Sequence, residues 1–224
     1  MVATIRSVNV GTPRPRAWAG IGRTAIEKHP VTGPVWVATL GLEGDQVADT
    51  VHHGGIDQAV YAFAREDLDD WVEQLGAPIG DGMFGENLTT AGLDVNEARV
   101  GERWRVGSVL LEVASVRIPC NDFKCWMGET GFDNTGWVKR FAATGRPGPY
   151  LRVLEEGALQ AGDALVVEHR PAHDVTVSTM FRALTTDRSL LPELLQVEGL
   201  VAEARRAVEK YVASAAGTVR PGRA

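Results

Sequence analysis

Apolar and polar residues alternate over several short stretches of the chain, which is the pattern of half-buried β-strands. Residues 2–10 alternate in this way, and residues 100–116 predict a hairpin that turns at Gly107–Ser108. Further strands are predicted at 23–28, 35–41, 58–63 and 84–90, and two closing strands within 149–168. Many short strands with turn residues between them favour a mainly β fold, a β-barrel with flanking helices, over a parallel α/β sheet.

Helical spacing is confined to a few segments. Residues 65–75 place apolar side chains at helical spacing before Gly76, and 133–144 predicts a second helix. After residue 170 the strands give way to three short predicted helices, the last at 201–213. We therefore expect a β-barrel domain at 1–170, a three-helix α-helical appendage at 171–216 and a frayed tail at 217–224.

The composition argues against several classes of protein. The 224 residues are 44% hydrophobic and 23% charged, an ordinary globular balance, and the formal net charge of −6 argues against nucleic-acid binding. The sequence contains neither an apolar stretch of about 18 residues nor the apolar core of a signal peptide. Two cysteines five positions apart do not form the disulfide framework of a secreted domain. We expect a reduced cytoplasmic protein without membrane contact, and the oligomeric state stays open.

Cys120 is the first candidate for chemistry. Pro119 cannot donate to a sheet, so the predicted strand ends there and Cys120 is expected to begin a loop. The nearby Arg117 would lower the pKa of the thiol and favour the thiolate, which acts as a nucleophile or a metal ligand. The competing interpretation is an inert buried thiol, the commoner fate of a single cysteine. For Cys125, which lies between aromatic residues, packing is the favoured role.

The HHGG segment at 52–55 predicts an anion or cofactor loop. Paired glycines let the backbone approach a ligand, and His53 can donate to an anion. The alternative is a plain turn with a surface histidine. A zinc site that combines His52 and His53 with the two cysteines is disfavoured by the spacing. A P-loop motif and a GxSxG motif are absent from the sequence.

Six segments follow one another in an order typical of one family: AIEKHPVTGPV (25–35), GLEGDQVAD (41–49), HHGGIDQAVYAF (52–63), FGENLTT (84–90), VGERWRVGSVLLEVASVRIPC (100–120) and GRPGPYLRVLEEGALQAGD (145–163). They resemble the MOSC domain, named for the C-terminal part of molybdenum cofactor sulfurases, and in particular its stand-alone bacterial YiiM-like branch. The segments cover nearly all of the first predicted domain. Residues after Pro171 resemble the three-helix extension of that branch.

The resemblance implies a fold and a cofactor. The family fold is a β-barrel with flanking helices. Cys120 would supply a thiolate to molybdenum and be the catalytic residue, and the dithiolene of a molybdenum–pterin cofactor would supply the other sulfurs. A positively lined pocket for the pterin phosphate, with one polar wall residue, is expected from motif position to include Lys28, His53, Arg117, Arg152 and Asn87.

The sequence departs from the family pattern at one position. The HGG motif usually continues as D-K-A-V, whereas this chain has Gln58 in place of the lysine. One positive charge is therefore missing. Two explanations stay open: the charge is replaced elsewhere, for example by His52, or the lysine is peripheral.

The resemblance also implies an activity, the molybdenum-dependent reduction of N-hydroxylated compounds from N–OH to N–H. Substrates would include N-hydroxylated purines such as 6-N-hydroxylaminopurine, which implies a detoxifying role. Two cysteines are too few for a four-thiolate cluster, so a separate flavin or iron–sulfur reductase would deliver electrons, with the helical appendage as a candidate docking surface. The alternatives are a cofactor or sulfur carrier without turnover, and a thiol or zinc enzyme.

Overall fold

A mixed eight-stranded sheet forms the centre of the computed structural model, which describes residues 2–218, with side chains described as far as Ser214. Numbered in chain order, its strands lie side by side as β13 (Leu165–His169), β9 (Arg103–Val106), β10 (Val109–Val116), β11 (Pro149–Glu155), β7 (Val60–Ala64), β8 (Leu88–Ala91), β1 (Thr4–Val10) and β4 (His29–Pro30). All neighbours are antiparallel except β7 and β8, which are parallel and connected through helix α1 (Arg65–Leu75).

Two smaller sheets complete the β-structure. One contains β12 (Gly157–Leu159), β5 (Val35–Ala38) and β6 (Gly41–Leu42), and the other pairs β2 (Arg14–Pro15) with β3 (Arg23–Thr24). The strand predicted at 23–28 is thus reduced to two residues. His29–Pro30, which lies between two predicted strands, pairs with the end of β1.

The main sheet curls so that β1 and the start of β13 approach each other. The contact is an isolated bridge between Thr4 and Ala164, with Leu165 N–H donating to the carbonyl of Ala3 over 2.9 Å. The chain turns at Gly162–Asp163 directly before β13, so within residues 2–218 only the start of that strand meets β1. The prediction of a closed β-barrel is therefore not confirmed, and the fold is a mixed sheet with flanking helices.

Helices cover the sheet. Besides α1 they are α2 (Asn121–Glu129), α3 (Trp137–Thr144), α4 (Val177–Thr185) and α5 (Ala202–Thr218), together with 3-10 helices at Ile56–Gln58 and Arg188–Gln196. Gly76 ends α1 in the left-handed conformation, as predicted. Helix α2 had not been predicted. The three elements expected after residue 170 are present, but the middle one is a 3-10 helix that contains Pro192.

An aromatic cluster connects the helices with the sheet. Phe84 contacts Phe123 of α2 and Trp137 of α3 with ring centroids 5.1 and 5.8 Å apart. Phe181 of α4 is fully buried, and its ring lies 6.3 Å from that of Phe141 in α3. The C-terminal helices therefore share a core with the helices of the first predicted domain.

The division at residue 170 stays a prediction, as does the frayed tail, of which residues 219–224 lie outside the described part of the chain. None of the described helices combines the length and the apolar character that crossing a membrane requires.

We predict that Phe181→Ala lowers the free energy of unfolding by about 3–5 kcal/mol, because it leaves a cavity between α3 and α4. Leu195→Ala is the matched control, since Leu195 is 56% exposed in the neighbouring 3-10 helix, and it should cost less than about 0.5 kcal/mol. Denaturant unfolding followed by circular dichroism and fluorescence measures both. A separate early transition of the helices, with the sheet unaffected, would contradict a shared core.

Candidate functional site

One cleft brings together segments that are far apart in sequence. Its walls are formed by residues from 23–28, 40–49, 53–61, 85–87 and 117–122, and by Tyr150. Residues 25–28, which had been predicted to continue a strand, contribute to this wall instead of pairing with a neighbour. The cleft is the place where most of the predicted site residues meet.

Of the six residues singled out from the sequence, five line the cleft: Lys28, His53, Asn87, Arg117 and Cys120. Arg152 does not. Its guanidinium donates to Asp57 over 2.6 Å and to Glu112 over 2.8 Å, two residues along β11 from Tyr150. Its charge is therefore matched by carboxylates outside the cleft.

Cys120 is the N-cap residue of α2, which corrects the expected loop. The helix begins directly after Cys120 because Phe123, Trp126 and Met127 form an apolar face that is buried against the core. A helix N-terminus carries a partial positive charge, which favours a thiolate over a neutral thiol. The helix that sequence reasoning missed therefore bears directly on the chemistry of the cysteine.

The surroundings of Cys120 determine the pKa of its thiol. Burial raises the pKa, but the hydrogen bond with His53, the charge of Arg117 and the backbone N–H of Phe123 outweigh it, and the pKa falls to about 7. At neutral pH, Cys120 is then a thiolate in roughly half of the molecules. This is the state in which a cysteine binds a metal.

Arg117 is the buried cation beside Cys120. Its Nη1 donates to the hydroxyl of Tyr150 over 2.7 Å, and its Nη2 lies 3.9 Å from the sulfur of Cys120. The guanidinium carbon lies 5.8 Å from the ring centroids of Tyr61 and Phe123. Its Nε is buried and has no hydrogen-bond partner among residues 2–218.

Lys28 and Asn87 belong to one polar network around Asp45. The Asp45 carboxylate accepts hydrogen bonds from the Lys28 ammonium, from Asn87 Nδ2 over 2.9 Å and from the backbone of Gly11 over 2.7 Å. Burial lowers the pKa of Lys28, and the charge of Asp45 opposes that effect. Asn87 also accepts from the backbone N–H of Tyr61 over 3.1 Å. These residues fix the cleft wall as well as line it.

The HHGG loop has the conformation that glycine permits. Gly54 and Gly55 have φ angles of 79° and 81°, and a Cβ on Gly54 would lie 3.2 Å from Val47. His53 lines the cleft, whereas His52 is exposed and pairs with Asp49 over 2.9 Å. His52 therefore does not supply the positive charge that is missing at position 58.

The remaining candidates lie apart from this chemistry. Cys125 is a free thiol outside the cleft, 3.6 Å from Asn121 Nδ2. Within the described part of the chain, no group of three histidine, cysteine or acidic side chains is arranged to hold a metal ion. The zinc alternative therefore has no ligand set among these residues.

Sequence reasoning missed three residues of the site. Tyr61 and Tyr150 were read only as strand residues, yet both line the cleft and surround Arg117. Glu86 is fully buried, which raises the pKa of its carboxyl to about 7. It accepts from the backbone of Gly82 over 2.6 Å and of Phe84 over 3.0 Å, and so fixes the segment that presents Asn87. In the sequence, the one indication of this role is that Glu86 directly precedes Asn87.

Comparison with known proteins identifies relatives of this chain. The model of the MOSC domain matches residues 49–166. Protein YflK of Bacillus subtilis (strain 168), described as uncharacterized, is 32% identical over 90% of this chain and 88% of its own length. Protein YiiM of Escherichia coli (strain K12) is 32% identical over 76% of this chain and 75% of its length.

Two further similarities concern domain context and fold. A protein of Gibberella moniliformis named "Reductase" is 32% identical over 85% of this chain, which spans only 34% of that longer protein. The crystal structure of YiiM from Geobacillus stearothermophilus superimposes with a TM-score of 0.76 at 27% identity, over 93% of this chain and 98% of the other. The similarity therefore includes the C-terminal helices.

We predict that the alkylation rate of Cys120 rises with pH through a midpoint near 7, because the thiolate is the reactive species. His53→Ala should move the midpoint upward, since a hydrogen bond to the thiolate is lost. His52→Ala, whose histidine pairs with Asp49 at the surface, should leave it in place. The measurement is iodoacetamide labelling against pH, read by mass spectrometry in a Cys125→Ser background. Equal midpoints in both histidine variants would contradict the assignment.

Proposed function

This chain belongs to the MOSC domain family, and on that premise we propose that it is a molybdenum-dependent reductase of N-hydroxylated compounds. The proposal rests chiefly on one observation, a cysteine with a pKa near 7 beside a buried arginine in a cleft. A soft thiolate is a suitable ligand for molybdenum, and Cys120 would be the ligand that the protein contributes.

The residues of the cleft fit a molybdenum–pterin cofactor. The metal needs a deprotonated sulfur, which the lowered pKa of Cys120 supplies. The anionic parts of the cofactor need donors, and Arg117 has a buried Nε for which residues 2–218 provide no acceptor. An unpaired buried donor is costly, so a ligand acceptor at this atom would stabilise the site.

Two cations that line the cleft would hold the pterin phosphate. Lys28 lies in the wall beside Asp45, and Arg23 is exposed at the same cleft. Arg23 was not singled out in the sequence and is a better candidate than Arg152, which does not line the cleft. A phosphate group is usually held by several converging cations.

The reaction needs defined contributions from the protein. Conversion of R–NH–OH to R–NH₂ takes up two electrons and two protons and releases one water. The cofactor, when bound, would supply the two-electron chemistry. His53, in contact with Cys120, can hold a proton beside the reacting N–OH group. The charge of Arg117 favours the ionised form of the cysteine.

The electrons would come from a separate flavin or iron–sulfur reductase. The longer fungal relative named "Reductase" supports a redox setting for this type of domain. The substrates would include N-hydroxylated purines, which gives the enzyme a detoxifying role. The proposal assigns the chain to the reducing cytoplasm, because oxidation of Cys120 would remove the thiolate that the metal requires.

We predict that the cofactor-loaded protein oxidises dithionite-reduced viologen when hydroxylamine or 6-N-hydroxylaminopurine is added. Cys120→Ala should lose more than about 100-fold in rate, since loss of a ligand costs at least as much as loss of its supporting contacts. Cys125→Ala is the matched control and should retain the wild-type rate. Wild-type protein that carries molybdenum but reduces no N–OH compound would contradict the proposal and favour a carrier of the cofactor.

A further inference from the structure

An apolar groove lies beside the segment that leads into Cys120. Ile118 and Pro119 form one side of it, and its volume is about 450 Å³. Helix α3 and the end of α4 form the other sides, with Val138, Lys139, Ala142, Ala143, Thr185 and Thr186. None of these groove residues lines the Cys120 cleft. The groove therefore approaches the cysteine from a different direction than the cleft does.

The groove exposes apolar side chains to solvent. Ile118 and Val138 are 41% and 39% exposed. Ala143 is exposed between them and the end of α4, and its small side chain leaves room for a partner. Apolar side chains that are exposed together, with polar residues around them, are typical of a surface that another protein covers.

Positive charge borders the groove, although the whole chain carries a formal net charge of −6. Lys139 and Arg188 are exposed, and neither forms an ion pair with any residue in the described part of the chain. Arg182 lies one turn before Thr185 on α4 and so shares its face of the helix. Lys139, Arg182 and Arg188 form a positive rim. The one acidic residue within 182–188 is Asp187, whose carboxylate lies 4.0 Å from Arg182.

Pro119 connects the groove with the reactive sulfur. It lines the groove and directly precedes Cys120 in the chain. A continuous path of covalent bonds therefore leads from the groove, through the peptide bond between these two residues, to the sulfur. Electrons tunnel more readily through covalent bonds than across gaps. A donor in the groove can thus deliver electrons to a metal on Cys120 while the cleft stays open to substrate.

We propose that this groove docks the electron donor, an acidic one-electron carrier that contains a flavin or an iron–sulfur cluster. The proposal rests on the reductase function proposed above and adds the docking surface and the charge of the partner. The positive rim attracts an acidic partner, and the apolar floor of the groove excludes water from the contact. Two dockings oxidise two carriers and supply the two electrons that one N–OH group takes up, and the two protons come from water.

The test reverses one charge of the rim. Lys139→Glu is compared with Lys210→Glu, which makes the same change in net charge at an exposed position of α5. Cofactor-loaded protein reduces hydroxylamine with three donors: reduced flavodoxin, reduced plant-type ferredoxin and dithionite-reduced methyl viologen. The two proteins are acidic one-electron carriers, and the viologen is a small donor that needs no docking surface. Thermal melting verifies that each variant folds.

In Lys139→Glu, the KM for a carrier protein should rise at least about five-fold at low salt, while kcat and the rate with viologen stay within about two-fold. The wild-type rate with a carrier should fall as salt rises, because salt screens the attraction. Lys210→Glu should change none of these values. Equal losses with viologen, equal effects of the two lysine variants, or wild-type turnover with viologen but with neither carrier would overturn the proposal.

A binding measurement separates the groove from the reductase function. Calorimetry follows the binding of oxidised flavodoxin and oxidised ferredoxin to the cofactor-loaded protein. If that protein reduces no N–OH compound even with viologen, the function is rejected. Carrier binding that Lys139→Glu weakens would still support the groove, and binding that it leaves unchanged would overturn the groove as well.

Ala143→Trp tests the apolar part of the groove, since it fills the groove from an exposed position of α3. It should weaken carrier binding at least about five-fold and leave the rate with viologen unchanged. Unchanged carrier binding in the folded variant would overturn the proposal. Sedimentation velocity tests a second copy of the chain as the occupant: a dimer that Ala143→Trp dissociates would also overturn it.

Discussion

The guanidinium of Arg117 is buried where strand β10 ends and helix α2 begins, with only 8% of the residue exposed. Burial of a charge without compensation costs several kcal/mol, so its neighbours must stabilise it. They do so in three ways: the Tyr150 hydroxyl accepts a hydrogen bond, the aromatic rings of Tyr61 and Phe123 face the cation, and the sulfur of Cys120 lies within 3.9 Å.

Arg117 and Cys120 stabilise each other's charged forms. The cation favours ionisation of Cys120, and the thiolate in turn supplies the opposite charge that the buried cation needs. The arrangement is held in place by the core below it, because Phe123 belongs both to the aromatic cluster and to the first turn of α2. Packing in the core therefore controls the position and the charge of the reactive sulfur.

The sequence allowed the prediction of features that depend on neighbours along the chain. The β10 hairpin, α1 and the end of the strand before Cys120 follow from local alternation, from Gly76 and from Pro119. Helix α2 was missed because a loop was expected after the proline, and the apolar face of NDFKCWMGE has meaning only against the core. Its N-terminus is nevertheless part of the site.

Features that depend on tertiary contacts were predicted less well. Motif position suggested Arg152 for the cofactor pocket, but its partners Asp57 and Glu112 come from other segments of the chain. Tyr61 and Tyr150 are unremarkable strand residues until the strands bring them to Arg117. Closure of the sheet into a barrel likewise depends on how far β13 runs beside β1, which no local pattern encodes.

The most direct measurement is X-ray absorption at the molybdenum K-edge of cofactor-loaded wild-type, Cys120→Ser and Cys125→Ser proteins. If Cys120 is the metal ligand, the wild-type and Cys125→Ser spectra show one more sulfur neighbour than Cys120→Ser, in which an oxygen replaces it. Equal sulfur counts in all three proteins, at equal molybdenum content, would contradict the central claim.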